Sequence, residues 1–181
     1  MVDIIAYIDT KVKECLEGRS YGLCRQLMDD NGEVYPATYE KRGTSYLKVM
    51  PDDKWPTTWY YRLMNSTIDN NDTYSFGRAG SLKANTTVRA VLISQIDAGE
   101  IALDQFIDAA ADFMVPVKNI VNLPDYKYVE FGDSISVNRN RDTTWADEFG
   151  KAYADKYQAR YNLFVIEFTV ESIKCKVCEC A

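Results

Sequence analysis

The chain has 181 residues, 46% hydrophobic and 27% charged, the proportions of one ordinary globular domain. Its net charge of −6 argues against broad, sequence-independent DNA binding, which needs phosphates neutralised by Lys and Arg, and leaves room only for a local basic patch. There is no histidine, no nucleotide-binding glycine motif and no nucleophile–base set, so the composition advertises packing rather than chemistry.

Residues 3–17 predict an amphipathic helix, with Ile4, Ile5, Ile8, Val12, Cys15 and Leu16 on one face and Asp9, Lys11, Lys13 and Glu17 on the other. Asp3 caps its start and Gly18 ends it. Leu23–Met28 and Glu33–Tyr39 flank Asp30-Asn31-Gly32, a strong hairpin signal, and Pro36 marks the second run as an edge strand or bulge. Thr44–Met50 reads as a third strand, Pro51–Lys54 as a turn and Thr57–Met64 as an aromatic fourth strand. The polar stretch 65–87 has little periodicity and is expected to form an extended loop or arm.

Val88–Ile96 has the composition of a buried strand. Glu100–Val115 carries the stripe Leu103, Phe106, Ile107, Ala110, Phe113, Met114 of a second helix, and Pro116 marks its end. Tyr126–Phe131 and Ser134–Asn138 are two short strands. Residues 138–158 form a second polar excursion, in which Trp145, Phe149, Tyr153 and Tyr157 recur at i, i+4 and suit a short helix. Arg160–Val170 is the clearest strand, and the apolar phase slips at Glu171–Ser172, which predicts a β-bulge or bend. The order predicts one α+β domain, a mostly antiparallel sheet with the N-terminal and second helices packed on one side.

Cys175-Lys-Val-Cys178-Glu-Cys180 is the sharpest motif, but a zinc site needs a second ligand pair, and Cys15 and Cys24 have no zinc spacing. A redox CxxC opens a helix, whereas this one sits in a strand-like tail, so a terminal strand is expected. Five cysteines and the absence of an apolar leader after Met1-Val2-Asp3 point to synthesis in a reducing cytoplasm. No run reaches the ~20 apolar residues of a membrane helix, and the sequons at Asn65, Asn71 and Asn85 read as chance. Asp69–Thr73 has alternating oxygen ligands but lacks the glycine and closing Glu of a calcium loop. Asp29-Asp30 and Asp52-Asp53 read as turn residues, being adjacent rather than facing across a substrate. No cofactor or metal is expected.

Alternation along the strand sends half of Trp55, Trp59, Tyr60 and Tyr61 to the core and half outward. Outward aromatics suit a protein interface better than a ligand platform, because no convergent polar site accompanies them. Arg78, Lys83, Arg89, Arg139 and Arg141 lie in or beside the two excursions, as basic arms on an acidic body. The interface residues expected from the sequence are Trp55, Trp59, Tyr61, Arg139, Arg141 and Trp145.

The helix 3–17, the sheet runs between Leu23 and Ile96, the helix Glu100–Val115 and the closing strand Arg160–Val170 together resemble tailed-bacteriophage neck proteins, the tail terminators and head–tail connectors. The resemblance lies in the order of elements and carries no residue-level motif. It implies a non-catalytic virion protein, made in the host cytoplasm, that forms a closed homomeric ring against portal or tail proteins, with no specific nucleic acid and no membrane partner. The alternative expectation is a carbohydrate- or small-molecule-binding α+β module using Trp55, Trp59 and Tyr61. An enzyme using Glu130 or Asp133 with a metal ranks last, since no pair of carboxylates has a suggestive spacing.

Overall fold

The computed structural model describes residues 2–24, 26–28, 34–36, 41–42, 45–46, 50–71, 81–114, 126–132 and 134–175. The apolar stripe of the first segment forms helix α1, Val2–Cys15, and buries Ile4, Ile5, Ile8, Val12 and Leu16. The chain then turns through Gly18, where a Cβ would collide with the Thr57 carbonyl and come within 2.8 Å of the Trp59 ring. Strand β1 follows, Arg19–Leu23, with Gly22 at φ +62° accommodating an irregular register.

Two small ribbons come next. β2, Gln26–Met28, pairs antiparallel with β3, Val34–Pro36, as the Asn-Gly signal predicts; the turn itself lies outside the described residues. Pro36 sits in this two-stranded ribbon, where both strands are edges among the described residues. Within the strand expected over 44–50, Ser45–Tyr46 forms β5 and pairs with β4, Lys41–Arg42, while 44 and 47–49 lie outside the described residues. The turn at 51–54 forms as expected: Asp52 Oδ1 accepts from the Lys54 and Trp55 amides at 3.0 and 2.8 Å.

Two 15-residue strands dominate the sheet, β6 over Thr57–Asn71 and β7 over Ser81–Gln95. A 3-10 turn leads into α2, Gly99–Phe113. β8 is Tyr126–Phe131 and β9 is Ser136–Asn138. Helices α3, Arg141–Phe149, and α4, Lys151–Tyr157, precede β10, Tyr161–Cys175. The sheet order is β1-β6-β7-β10-β8, with β9 pairing β10 beyond the end of β8. Only the β1–β6 pairing is parallel among the described strands.

The architecture is α+β and mostly antiparallel, but the helices lie on both faces rather than one. On the first face α1 and α2 pack against Trp59, Tyr61, Val88, Leu92, Phe164 and Phe168. On the second, Trp145, Phe149 and Ala154 of α3 and α4 pack against Tyr60, Val91, Ile93 and Leu163. The physical reason is the i, i+4 aromatic spacing within 138–158, which gives that stretch an apolar stripe of its own. Asn140 starts α3, its Oδ1 accepting from the Thr143 amide and its carbonyl from Thr144 Oγ1. Gly150, at φ +83°, separates α3 from α4.

The other expected excursion, 65–87, is corrected at both ends, while 72–80 lie outside the described residues. Residues 65–71 and 81–87 continue β6 and β7, and β7 keeps its register with β10 from Gln95↔Tyr161 to Ser81↔Cys175. Residues 65–68 are exposed at consecutive positions, so neither face of this end of β6 is covered and it needs no apolar alternation to form a strand. The bulge expected at Glu171–Ser172 is absent. Ser172 takes the core-facing position after Val170 and is buried, while the register irregularity falls between Ile173 and Lys174 against β8.

Candidate functional site

Two features stand out from the packing: a buried ion-pair network under α3, and the far half of the sheet with its exposed β6 edge. The network begins with strand register. Arg62 on β6 lies beside Arg89 on β7, which lies beside Glu167 on β10. Two arginines on adjacent strands repel unless a carboxylate joins them. Glu148 of α3 does so: Arg62 Nη1 donates to its Oε2 at 2.5 Å and Arg89 Nη1 to its Oε1 at 2.6 Å. Arg89 Nε also donates to Glu167 Oε1 at 2.7 Å. The Glu148 side chain is 1% exposed, against 13% for Arg62 and 22% for Arg89.

Burial alone would lower the Arg89 pKa, but its hydrogen bonds to Glu167 and Glu148 raise it above the ordinary range, so the guanidinium keeps its charge. The Tyr60 hydroxyl points at Glu148 Oε2 from 3.5 Å. The network satisfies its own charges and fastens α3 to the sheet.

On the opposite face, Asp9 turns inward from α1, although helical phase put it on the solvent side. It is 7% exposed and accepts from Trp59 Nε1 at 2.9 Å, from Ser20 Oγ and from Lys13 Nζ at 2.6 Å. Asp9 thus ties α1 to β1 and β6.

Burial pushes the Tyr60 and Tyr61 hydroxyls well above the ordinary phenol value, with Glu148 and Asp9 respectively adding to the rise. Their folded pKa values exceed their unfolded ones, so their contribution to stability is complete below the unfolded value of about 10 and is lost as pH climbs beyond it. In a spectrophotometric titration, tyrosine absorbance should therefore rise in two stages, the last phenols ionising together with loss of tertiary circular dichroism. Ionisation of all 13 tyrosines in the folded protein would contradict the burial.

The residues expected at an interface divide. Trp59, Tyr61 and Trp145 are 0% exposed, which removes them from any surface and with them the aromatic platform of the ligand-binding alternative. Their burial follows from helices covering both faces. Trp55 is half-buried, with Lys54 Nζ 5.2 Å from its ring centroid. Arg139 is exposed and pairs loosely with Glu100 at 3.3 Å. Arg141 begins α3; its side chain lies outside what is described. Of the other basic residues, Lys83 pairs with Glu171 at 2.8 Å and Arg89 is consumed by the network, while Arg78 lies outside the described residues.

Cys15 is half-buried and Cys24 is buried, its Sγ donating to the Tyr21 and Gly22 carbonyls; Cys178 and Cys180 lie outside the described residues. Residues 69–71 belong to β6 rather than to a calcium loop. Glu130 is half-buried on β8, and Asp133 is not described. Among the described residues no three His, Cys, Asp or Glu side chains are placed to hold a metal, and no helix is long and apolar enough to cross a membrane.

The second feature is the far half of the sheet. β1 accompanies β6 only as far as Tyr61, and the β6–β7 register shifts between Leu63 and Ser66. Beyond that bulge residues 65–68 are exposed, with Ile68 67% exposed. No described strand pairs with the outer edge of β6 there. Such an edge presents a row of unpaired main-chain N–H and C=O groups. No protein-family model matches the chain, and no curated protein is significantly similar to it.

Proposed function

We propose that the protein is a structural subunit of a homomeric ring in the neck or tail of a tailed bacteriophage, serving head–tail connection or tail termination without catalysis. Its place is the virion, and its neighbours are further copies of itself and the adjoining portal or tail proteins. The observation that carries this reading is the far end of β6: the 15-residue strand runs on past β1, residues 65–68 are exposed, and no described strand pairs with its outer edge. A surface of that kind suits strand-mediated association with another chain.

The order of elements supports the same reading, from α1 through the long β6–β7 hairpin and α2 to the closing strand β10. The most buried charges are satisfied internally and hold the body together, and Arg139, Trp55 and the β6 edge are among the described residues that reach the surface. Head-to-tail contacts that close generate rings. Negative-stain imaging of the purified full chain, alone and mixed with portal or tail proteins, tests the reading. Annular particles are expected; featureless monomers in every mixture would refute it.

A further inference from the structure

The far half of the sheet ends in two edges. Ser66, Thr86, Val170 and Phe131 occupy one rung from β6 to β8, and Ile68, Ala84, Ser172 and Val129 another. Residues 66–71 of β6 and Tyr126–Phe131 of β8 are therefore opposite margins of the same four-stranded region, each six residues long. Among the described residues neither margin has a strand partner. Each pairing between them is antiparallel, so β6 and β8 run in opposite directions.

We propose that copies of this chain join head to tail through main-chain pairing of the β6 edge, residues 66–71, with the outer edge of β8 of the next copy. The proposal rests on the ring reading and names the contact that builds the ring. Strand polarity makes the union regular: an incoming β8 runs antiparallel to β6 and continues the alternation of the sheet. Directly opposed residues share a face, so Ile68 would meet the row that carries Val129 and Phe131. That would cover an apolar side chain that is 67% exposed in the single chain.

Natural edges are usually blunted by lysine or proline, and residues 66–71, Ser-Thr-Ile-Asp-Asn-Asn, contain neither. The bulge between Leu63 and Ser66 separates this edge from the part of β6 that β1 covers. Two-fold pairing of β6 with β6 is also antiparallel, but it stops at two copies and leaves β8 unused. Pairing β6 with β8 uses both margins in every subunit and closes as a ring.

The test places a photoreactive benzophenone side chain at Ile68 of the full chain, mixes it with isotopically labelled unsubstituted chain, and maps cross-links by mass spectrometry. The expected product joins position 68 to the tryptic peptide Tyr128–Arg139 of a differently labelled copy. A parallel Ile68→Lys variant, folded by circular dichroism because the site is exposed, should lose the ring species. Intact rings whose cross-links run from 68 to 68, or to any other peptide, would overturn the edge contact and leave the ring reading standing. Chains that never assemble would overturn both.

Discussion

Replacing Glu148 with alanine is expected to destabilise the protein by about 3 kcal/mol, the lower end of the range for breaking a buried ion pair. The variant leaves the Arg62 and Arg89 guanidiniums side by side on adjacent strands with their shared carboxylate gone. The cost falls at the lower end because both arginines reach solvent at one edge and Arg89 keeps Glu167. For a chain of this size the melting temperature should drop by roughly 6–12 °C. Adding Arg62→Met to Glu148→Ala should cost little more, because the interaction it would break is already gone. A thermal melt of the two single variants and the double variant checks this. Additive losses would show that Glu148 and Arg62 do not act as a unit. The half-exposed Lys83–Glu171 pair gives the contrast, since such surface pairs contribute little.

Trp59→Ala should have the larger effect, about 4 kcal/mol, within the range for truncating a buried tryptophan. Its indole fills the space between α1 and the sheet, beside Gly18, and its Nε1 donates to Asp9. Trp59→Phe separates the two contributions. It keeps an aromatic ring in the core but removes a donor from a carboxylate that is 7% exposed. Its expected cost is about 1–2 kcal/mol. Urea denaturation of both variants measures the difference. Equal losses would mean that the hydrogen bond to Asp9, rather than the volume of the ring, sets the contribution of Trp59.

The elements that could be read from the sequence are those whose signal is local. The stripe Ile4, Ile5, Ile8, Val12, Leu16 gave α1, and Leu103, Phe106, Ala110, Phe113 gave α2, because a helix covering one sheet face must repeat near 3.6. β8 has the bounds expected from its composition. The far halves of β6 and β7 could not be read this way. An amphipathic pattern arises only where one face is covered and the other is not, and residues 65–68 are exposed at consecutive positions, so neither face of that end of β6 is covered. Residues 65–71 therefore look like a polar loop and fold as a strand, held by pairing with β7, the other arm of the hairpin.

The second helical layer left a signal that was available. Trp59, Tyr60 and Tyr61 are consecutive and all buried, as are Ala90, Val91, Leu92 and Ile93. Continuous apolar runs of that kind mark strands covered on both faces. The polar interior was harder to see, because Glu148 finds Arg62 and Arg89 from 86 and 59 residues away and Asp9 finds Trp59 from 50. A charged residue inside an apolar strand run, as Arg89 is between Val88 and Ala90, signals that a counter-charge is needed without saying which residue supplies it.

The ring reading meets its most direct test in the native mass of the purified full chain by mass photometry, over a range of concentrations and with portal or tail proteins added. The account predicts a discrete species at a fixed multiple of the 20.7 kDa chain, lost in Ile68→Lys and retained in Lys83→Ala. A single-chain mass under every condition would contradict it.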